Sequence, residues 1–317
     1  MRIRAGRLRR TLLAFGVAAA VVVPVSGAAR PEIPAPAPAA LGRVTAATLP
    51  EAYAANRANA TEAAALAEGY GAADRAAALR AMASPGRQFL AFDGRGAGRT
   101  AEVVGDLAGA DRVAVLVPGS DTSLDSYGRL RSGALALHAE LGPRTAVVAW
   151  LGYETPGTVS PAVLTTGRAD DAAPALRSFV AGLHGINAHA RVSLLCHSYG
   201  SVVCGSAASG PRGLDVADIA FYGSPGTGVD DAAELHTRAR IWAGRGAGDW
   251  IADVPHTSAD VFGTTVGFGT DPVSASFGAR VFAAGDGGHS DYLKPGSVAL
   301  GNLARIVRGD DPEVTHA

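Results

Sequence analysis

The chain has 317 residues, of which 48% are hydrophobic and 18% charged, and its net charge is -1. This composition is typical of a globular protein and excludes a disordered chain, a coiled coil and a collagen-like fibre. The near-neutral charge offers no basic field, so we expect no nucleic-acid partner. Two cysteines are too few for a disulfide framework or a four-thiolate zinc site, and we expect neither a metal nor a cofactor.

The first 29 residues have the pattern of an export signal. Arginines between Arg2 and Arg10 precede an apolar run from Thr11 to Val23, and small residues follow at 26–29. A basic start, a short apolar segment and small residues at the cut are typical of a secretory signal peptide. We therefore expect residues 1–29 to be removed and the protein to be secreted or held in the cell envelope. The alternative is an uncleaved membrane anchor, which would be the one contact with a membrane.

The rest of the chain is organised as a linker, one domain and a tail. Proline and alanine dominate residues 30–44, which predicts an extended linker. We expect a single, monomeric domain at 45–309 and a short C-terminal tail at 310–317. The alanine-rich stretch from 49 to 82 has helical spacing interrupted at Gly69-Tyr70-Gly71, which predicts two helices. These helices form either a packing collar or a partial cover over the site.

Short apolar runs alternate with longer helical stretches from residue 87 onward. The first two runs predict a hairpin, and the later runs are apolar almost throughout, as in parallel strands covered on both faces. This alternation predicts an α/β fold with a mostly parallel sheet flanked by helices, without a large inserted cap. In such sheets the site lies at the carboxyl ends of the strands. The predicted strands occupy 88–92, 100–104, 112–118, 145–151, 192–197, 219–223, 239–244 and 279–285, and the main helices 123–141 and 172–183.

A nucleophile motif follows the fifth predicted strand. The sequence Cys196-His197-Ser198-Tyr199-Gly200 precedes a helical run and matches small-x-Ser-x-Gly, the nucleophile elbow. A sharp strand-to-helix turn lifts the serine hydroxyl into the cleft, and small residues two positions away on either side avoid collision. The helix start also directs free N–H groups at developing negative charge. The alternative role of Ser198 is a helix N-cap.

The two partners of a serine nucleophile follow in the expected chain order of serine, acid and histidine. Asp249 follows the strand at 239–244 and a glycine-rich turn, and His289 lies on the glycine-rich loop after the last predicted strand. Histidine can take the serine proton and return it to the leaving group, while the carboxylate fixes its tautomer. His197, beside the serine, is expected to point away from the site. The competing acids are Asp253, Asp271, Asp286 and Asp291, and the competing histidines are His197 and His256.

An oxyanion hole requires two N–H donors directed at the reacting carbonyl oxygen. We expect one donor from Tyr199, the residue after the nucleophile. The second is expected from the loop after the third strand, from Ser120 or alternatively from Asp121.

The substrate pocket is expected to involve residues on the loops around the nucleophile. The segment 253–278 is long for a plain connection, and such loops are usually functional. The predicted pocket residues are Tyr153, His256, Phe262 and Phe268.

Five segments occur in a fixed order along the chain: DRVAVLVPGSDTSLDSY, VAWLGYETP, CHSYGSVVCG, FYGSPGTGVD and GGHSDYL. Together they resemble the motifs of the secreted actinobacterial α/β hydrolases, long classified as a domain of unknown function, over nearly the whole chain from about 55 to 307. The resemblance implies the α/β-hydrolase fold and carries the triad onto Ser198, Asp249 and His289. It implies no substrate. The departure from the commonest elbow is Cys196, which replaces glycine.

The two cysteines have two interpretations. Because the helix runs back along the strand, Cys196 and Cys204 could lie level and form a disulfide, which an exported protein permits. Otherwise they are two buried thiols that are too far apart to bond.

These observations favour an exported serine hydrolase that is esterase- or lipase-like, acting on a small-molecule or envelope carboxylic ester through an acyl-enzyme. Acyl transfer or amide hydrolysis would use the same residues. The alternative from another class is a non-catalytic envelope-binding protein on a hydrolase scaffold.

Overall fold

The computed structural model describes residues 32–211, 213–254, 256, 258–261 and 264–316. Most of these residues belong to the compact unit Pro34–Ala317. The predicted signal peptide at 1–29 lies outside the described residues. The part of the predicted linker from 34 to 44 forms no helix or strand, and the Ala37 carbonyl accepts a hydrogen bond from the Asn59 side chain at 2.6 Å.

The predicted helices and strands are present, with bounds that are shifted by a few residues in most elements. The structure adds three elements that the sequence did not predict, namely strands at Ser258–Val261 and Thr264–Gly267 and a helix at Val298–Arg308. The helices are α1 (Leu49–Gly69), α2 (Ala73–Met82), α3 (Gly128–Leu141), α4 (Gly167–Ile186), α5 (Gly200–Ala208) and α6 (Val298–Arg308). The strands are β1 (Gln88–Asp93), β2 (Arg99–Gly105), β3 (Arg112–Val117), β4 (Thr145–Leu151), β5 (Arg191–His197), β6 (Asp218–Tyr222), β7 (Arg240–Gly244), β8 (Ser258–Val261), β9 (Thr264–Gly267) and β10 (Arg280–Val281).

The main sheet has the order β1-β2-β4-β3-β5-β6-β7-β10. Strands β1 and β2 form the predicted antiparallel hairpin, and β2 pairs antiparallel with β4. From β4 to β10 every neighbouring pair is parallel. The expected α/β architecture is therefore present: a mostly parallel sheet whose carboxyl ends gather the loops that follow β3, β5, β6 and β7.

Helices cover both faces of this sheet. Helix α4 packs against α5, and α3 packs against α6. Val113, Val115 and Val117 of β3 belong to the apolar cluster that includes residues of α4 and α5. Since side chains alternate along a strand, Ala114 and Leu116 face the opposite side, and both are fully buried there. Burial on both faces explains why the central strands are apolar without alternation.

Helices α1 and α2 form a collar rather than a cover. They break where the sequence predicts, and α1 packs along β1. The buried Asn56 side chain donates to the Phe89 carbonyl at 2.8 Å, which fixes α1 against the sheet edge. None of the described helices is both long and apolar enough to cross a bilayer.

The predicted last strand at 279–285 is wrong in length, because β10 pairs with β7 only at Arg280 and Val281. Beyond Phe282, the N–H of Ala283 donates to Thr315 of the C-terminal segment. The described part of the predicted tail at 310–317 therefore packs on the domain. Val314 is buried, and the Asn302 side chain donates to the Thr315 hydroxyl at 2.7 Å.

Candidate active site

The turn between β5 and α5 places Ser198 in a strained backbone conformation. Its φ is +53°, a left-handed value that is unfavourable for a residue with a Cβ atom. Space around the turn is tight. A Cβ atom on Gly200 would lie 2.4 Å from the Val117 carbonyl oxygen, and one on Gly119 would lie 2.6 Å from Ser198 Cβ. The small residues that the motif requires are therefore needed to bring β3, β5 and α5 together.

Ser198, His289 and Asp249 form one hydrogen-bonded chain. Ser198 Oγ lies 2.9 Å from His289 Nε2. His289 Nδ1 lies 2.9 and 3.0 Å from the two carboxylate oxygens of Asp249. An ionised carboxylate only accepts hydrogen bonds, so Nδ1 carries the proton and Nε2 accepts from the serine hydroxyl. This is the tautomer that a general base needs.

Asp249 is held as a carboxylate in a buried position. Burial alone would raise its pKa, but hydrogen bonds from His289, Tyr292 and the Ile251 N–H outweigh it and lower the pKa below the ordinary value. The Ile251 N–H donates at 2.9 Å because Asp249 is the N-cap of a short 3-10 helix. The negative charge that orients His289 therefore persists at neutral and mildly acidic pH.

Two residues of this arrangement were not singled out from the sequence. Tyr292 donates its hydroxyl to Asp249 and accepts from the Gly246 N–H at 3.0 Å. Gly223, at the end of β6, has φ +57°, and a Cβ atom there would lie 3.0 Å from Asp249 Oδ2 and 3.3 Å from His289 Nδ1. Both lie in the quoted motifs GGHSDYL and FYGSPGTGVD, but motif membership alone does not reveal contact with the acid.

His197 does not point away from the site, contrary to the sequence prediction. Its Nε2–H donates to the His289 backbone carbonyl at 2.8 Å. Its ring lies 4.8 Å from the His289 ring and stacks on Tyr222 at 5.0 Å. On the other side, the Trp250 ring lies 4.7 Å from His289. The His289 imidazole is therefore held between two rings, and its loop is tied to the residue next to the nucleophile.

We expect His197 to make folding stability sensitive to acid. Burial, and then the neighbouring His289, lower the pKa of His197 to about 4 from the ordinary 6.5. Between these values the unfolded chain binds a proton that the folded chain does not, so stability falls as pH drops through this window. The shift corresponds to at most roughly 3 kcal/mol. His197→Phe should therefore lose less stability than wild type between pH 7 and 4.5 in urea unfolding. Equal losses in the two proteins would contradict this assignment.

The four competing acidic residues do not hydrogen-bond His289. Asp291 accepts from the Gly288 N–H at 3.0 Å and pairs with Lys294 at 2.7 Å. Asp271 pairs with Arg245 at 2.7 Å. The other two candidates, Asp253 and Asp286, are exposed. Among the described acidic residues, Asp249 is the one that hydrogen-bonds His289.

The loop after β3 lies against the nucleophile and distinguishes the two candidate oxyanion donors. The Asp121 N–H donates to the Pro156 carbonyl at 3.0 Å and is therefore occupied. Neither the Ser120 nor the Tyr199 N–H has an acceptor within the part of the chain that the structure describes. All three residues line the cleft beside Ser198, and the unoccupied N–H groups of Ser120 and Tyr199 match the expected oxyanion pair better than the occupied N–H of Asp121 does.

The cleft at Ser198 has a volume of about 870 Å³ and mostly apolar walls. Phe268 lines it and packs edge-on against Tyr199 at 5.7 Å. Apolar residues that line the cleft include Leu130, Val163, Leu164, Trp250, Ile251, Val254, Phe268 and Leu293.

No metal-binding cluster of three or more His, Cys, Asp or Glu side chains occurs among the described residues.

Two predicted pocket residues lie outside the cleft wall. Tyr153 is buried, and its hydroxyl donates to the Pro118 carbonyl at 2.6 Å, so it contacts the loop after β3. His256 Nε2 lies 3.8 Å from Asp271 rather than in the cleft. These predictions were wrong because loop position alone does not determine side-chain direction. Phe262 lies outside the described residues.

Cys196 and Cys204 form a disulfide. Their Cα atoms are 6.5 Å apart, and both residues are fully buried. Cys196 occupies the position two residues before Ser198, while Cys204 lies in α5. The bond therefore links the strand and the helix on either side of the nucleophile turn.

Removing this disulfide should destabilise the domain. The bond closes a loop with a sequence separation of 8 residues, for which loss of chain entropy predicts roughly 2–3 kcal/mol. We expect Cys196→Ala/Cys204→Ala to unfold at lower urea concentration than oxidised wild type. Reductant should lower the wild-type midpoint and leave the double variant unchanged. A double variant as stable as oxidised wild type would show that the bond contributes nothing.

The sheet order and the serine at the β5–α5 turn define an α/β hydrolase. A family model described as an alpha/beta hydrolase matches residues 93–259. The chain belongs to this family. The matched range contains Ser198 and Asp249 and ends before His289.

Relatives in mycobacteria carry no functional description. The uncharacterized protein Rv2079 of Mycobacterium tuberculosis is 32% identical over 255 residues, which cover 69% of this chain and 38% of that protein. The chain thus spans about two fifths of the length of that relative. The uncharacterized protein Mb0988c of Mycobacterium bovis is 33% identical over 184 residues, 51% of this chain and 68% of that protein.

Solved structures with a similar fold are distant. An esterase/lipase from an uncultured bacterium gives a TM-score of 0.46 at 12% identity, covering 70% of this chain and 84% of that one. A predicted CIB-like hydrolase from Thermoplasma acidophilum gives 0.43 at 16% identity, covering 72% and 98%.

Proposed function

We propose that this α/β hydrolase is an exported serine hydrolase that cleaves carboxylic esters. The observation that carries the proposal is the Ser198–His289–Asp249 hydrogen-bonded chain at an apolar cleft. A serine hydroxyl is a weak nucleophile unless a positioned base accepts its proton. At 2.9 Å, His289 Nε2 is within the range for that transfer.

The reaction proceeds in two halves. Ser198 Oγ attacks the ester carbonyl while its proton passes to His289 Nε2, and the carbonyl oxygen becomes an oxyanion that accepts from the Ser120 and Tyr199 N–H groups. The protonated His289 then gives its proton to the departing alcohol, which leaves an acyl group on Ser198. Water then attacks this acyl-enzyme and gives a proton to His289 Nε2. The bond between the acyl carbon and Ser198 Oγ breaks, His289 returns the proton to Ser198, and the carboxylic acid leaves. Asp249 stabilises the imidazolium in both halves and does not itself take the proton.

The size, the apolar walls and the uncovered entrance of the cleft support an acyl ester as the class of substrate. Its volume of about 870 Å³ is in the range of sites for drug-sized ligands. Apolar walls favour the acyl part of an ester over a charged group. Helices α1 and α2 lie along the sheet edge and do not cover the entrance. An acyl ester, either a small molecule or an envelope component, therefore fits the site.

Export is supported by two independent features. The basic and apolar pattern of residues 1–29 is that of a signal peptide. The Cys196–Cys204 disulfide suits an oxidising compartment, since disulfides are rare in the reducing cytosol. We therefore propose that the domain acts outside the cytoplasm.

A fluorophosphonate probe and a panel of p-nitrophenyl esters test the activity. We expect the probe to label wild type on Ser198, and the panel to give measurable hydrolysis with a preference that changes when Phe268 is replaced by alanine. Phe268→Ala should shift the preference toward longer or bulkier acyl groups because it enlarges the wall beside Tyr199. A folded protein that never labels would favour the non-catalytic envelope-binding alternative. Labelling without ester turnover would point to acyl transfer or amide cleavage.

A further inference from the structure

Four exposed apolar side chains lie at the cleft or next to residues that line it or contact it. Val159 is fully exposed, and Leu164, Trp250 and Val266 are exposed by 53%, 51% and 38%. Leu164 and Trp250 line the cleft themselves, and Val159 follows Thr158, which also lines it. We call these four residues the apolar rim.

The apolar rim is connected to the site through short contacts. The backbone of Val266 in β9 forms a bridge with Thr165, the residue after Leu164. The Thr165 carbonyl accepts from the Tyr199 hydroxyl at 2.7 Å. The Trp250 ring lies 4.7 Å from His289. These contacts place the rim beside the opening that leads to Ser198.

The surroundings of the apolar rim carry no excess of either charge. Residues 155–166, which include Val159 and Leu164, contain no charged side chain. The charged side chains that line the cleft are balanced, with Asp121 and Asp291 against Arg129 and Lys294. Exposed apolar residues grouped beside a cleft mark a site where another apolar surface binds. The balance of charge argues against attraction to an anionic surface.

We propose that the apolar rim docks onto a neutral lipid–water interface and that the ester enters the cleft directly from the lipid. This inference rests on the proposed ester hydrolysis and names its substrate class as a lipid ester. Leu164 and Trp250 of the rim line the cleft, so a protein seated there would block access to Ser198. A lipid layer would instead present its own esters at the opening. Tryptophan is well suited to such an interface because its ring is apolar and its N–H is polar.

Vesicle binding tests the docking surface. Wild-type protein is sedimented with vesicles of ether-linked phosphatidylcholine, which contain no ester to cleave, and with ether-linked phosphatidylglycerol. The rim variant is Val159→Ser/Val266→Thr, which leaves the cleft wall intact. The matched control is Leu66→Gln/Tyr70→Gln, at two exposed positions at the end of α1. We expect similar binding to both lipids, about tenfold weaker binding by the rim variant and an unchanged control. Binding to phosphatidylglycerol alone, or equal binding by the rim variant, would overturn the proposal.

Activity on two presentations of an ester separates docking from chemistry. The soluble substrate is p-nitrophenyl butyrate, and the lipid substrate is p-nitrophenyl palmitate in phosphatidylcholine vesicles. We expect the rim variant to keep wild-type rates on the soluble ester and to lose about tenfold on the vesicle ester. Equal losses on both, or no loss on either, would overturn the docking role. A wild type that binds vesicles but neither labels with the probe nor cleaves either ester would overturn the proposed function and leave the docking surface standing.

Discussion

Ser198→Ala should abolish ester turnover and labelling by the fluorophosphonate probe. The substitution removes the only atom of this side chain that reaches His289 Nε2, and no other hydroxyl contacts that nitrogen among the described residues. In a well-studied serine protease, loss of the nucleophile alone lowers kcat by about 10⁶-fold. We expect a loss on the order of 10⁴-fold or more, measured by p-nitrophenyl ester hydrolysis and by mass spectrometry of the probe adduct.

Ser290→Ala is the matched control for this change. Ser290 also lines the cleft and follows His289, but its hydroxyl makes no hydrogen bond to His289. The control should retain wild-type turnover and labelling within about threefold. Both variants should keep the wild-type free energy of unfolding in urea within about 0.5 kcal/mol, the usual range for changes away from the core. A Ser290→Ala protein that loses labelling as Ser198→Ala does would show that the nucleophile is misassigned.

Much of the fold follows from the sequence because the central strands are buried on both faces. An apolar run such as TAVVAWL in β4 is typical of a strand that is buried on both faces, and the alternation of such strands with helices then predicts a parallel sheet. The elbow is predictable for a related reason. At Gly200 even a Cβ atom would collide with the Val117 carbonyl, and the sharp turn gives Ser198 its left-handed backbone conformation.

The end of strand β10 was less predictable because a distant segment of the chain determines it. Strand β10 ends early since Thr315 takes the Ala283 N–H, a contact across more than thirty residues that no local pattern encodes. Helix α6, in contrast, carries local signals in the sequence: Ser297 caps its N-terminus by accepting from the Leu300 N–H at 3.1 Å, and Gly309 ends it at φ +78°.

Side-chain direction limited the prediction of the candidate site. The chain order placed Asp249 and His289 on the correct loops, because loops at the carboxyl ends of neighbouring strands must meet. Whether Tyr153 and His256 face the cleft depends on how each loop packs. The Pro118 carbonyl and the Asp271 carboxylate are their respective neighbours, and neither was identifiable from spacing.

The identity of the acid gives the second large expected effect. Asp249→Asn should leave the packing intact, because asparagine has nearly the same shape. Its amide group, however, can donate to His289 Nδ1 and then favours the tautomer with the proton on Nε2. In that tautomer the histidine cannot accept the Ser198 proton, and the corresponding change in a serine protease costs about 10⁴-fold in kcat. We expect a loss of about 10³- to 10⁴-fold here.

Asp291→Asn is the comparison that makes this assignment testable. Asp291 is two residues from His289, but its oxygens bind the Gly288 N–H and Lys294 instead of the imidazole. Its replacement should change kcat by no more than about threefold, since exposed ion pairs contribute little. Both variants should be compared on p-nitrophenyl esters after their folding is verified by urea unfolding. Equal damage from the two substitutions would mean that Asp249 is not the acid. If neither substitution matters, Ser198 and His289 act as a dyad, because the carboxylate at 2.9 Å from Nδ1 would then contribute nothing to catalysis.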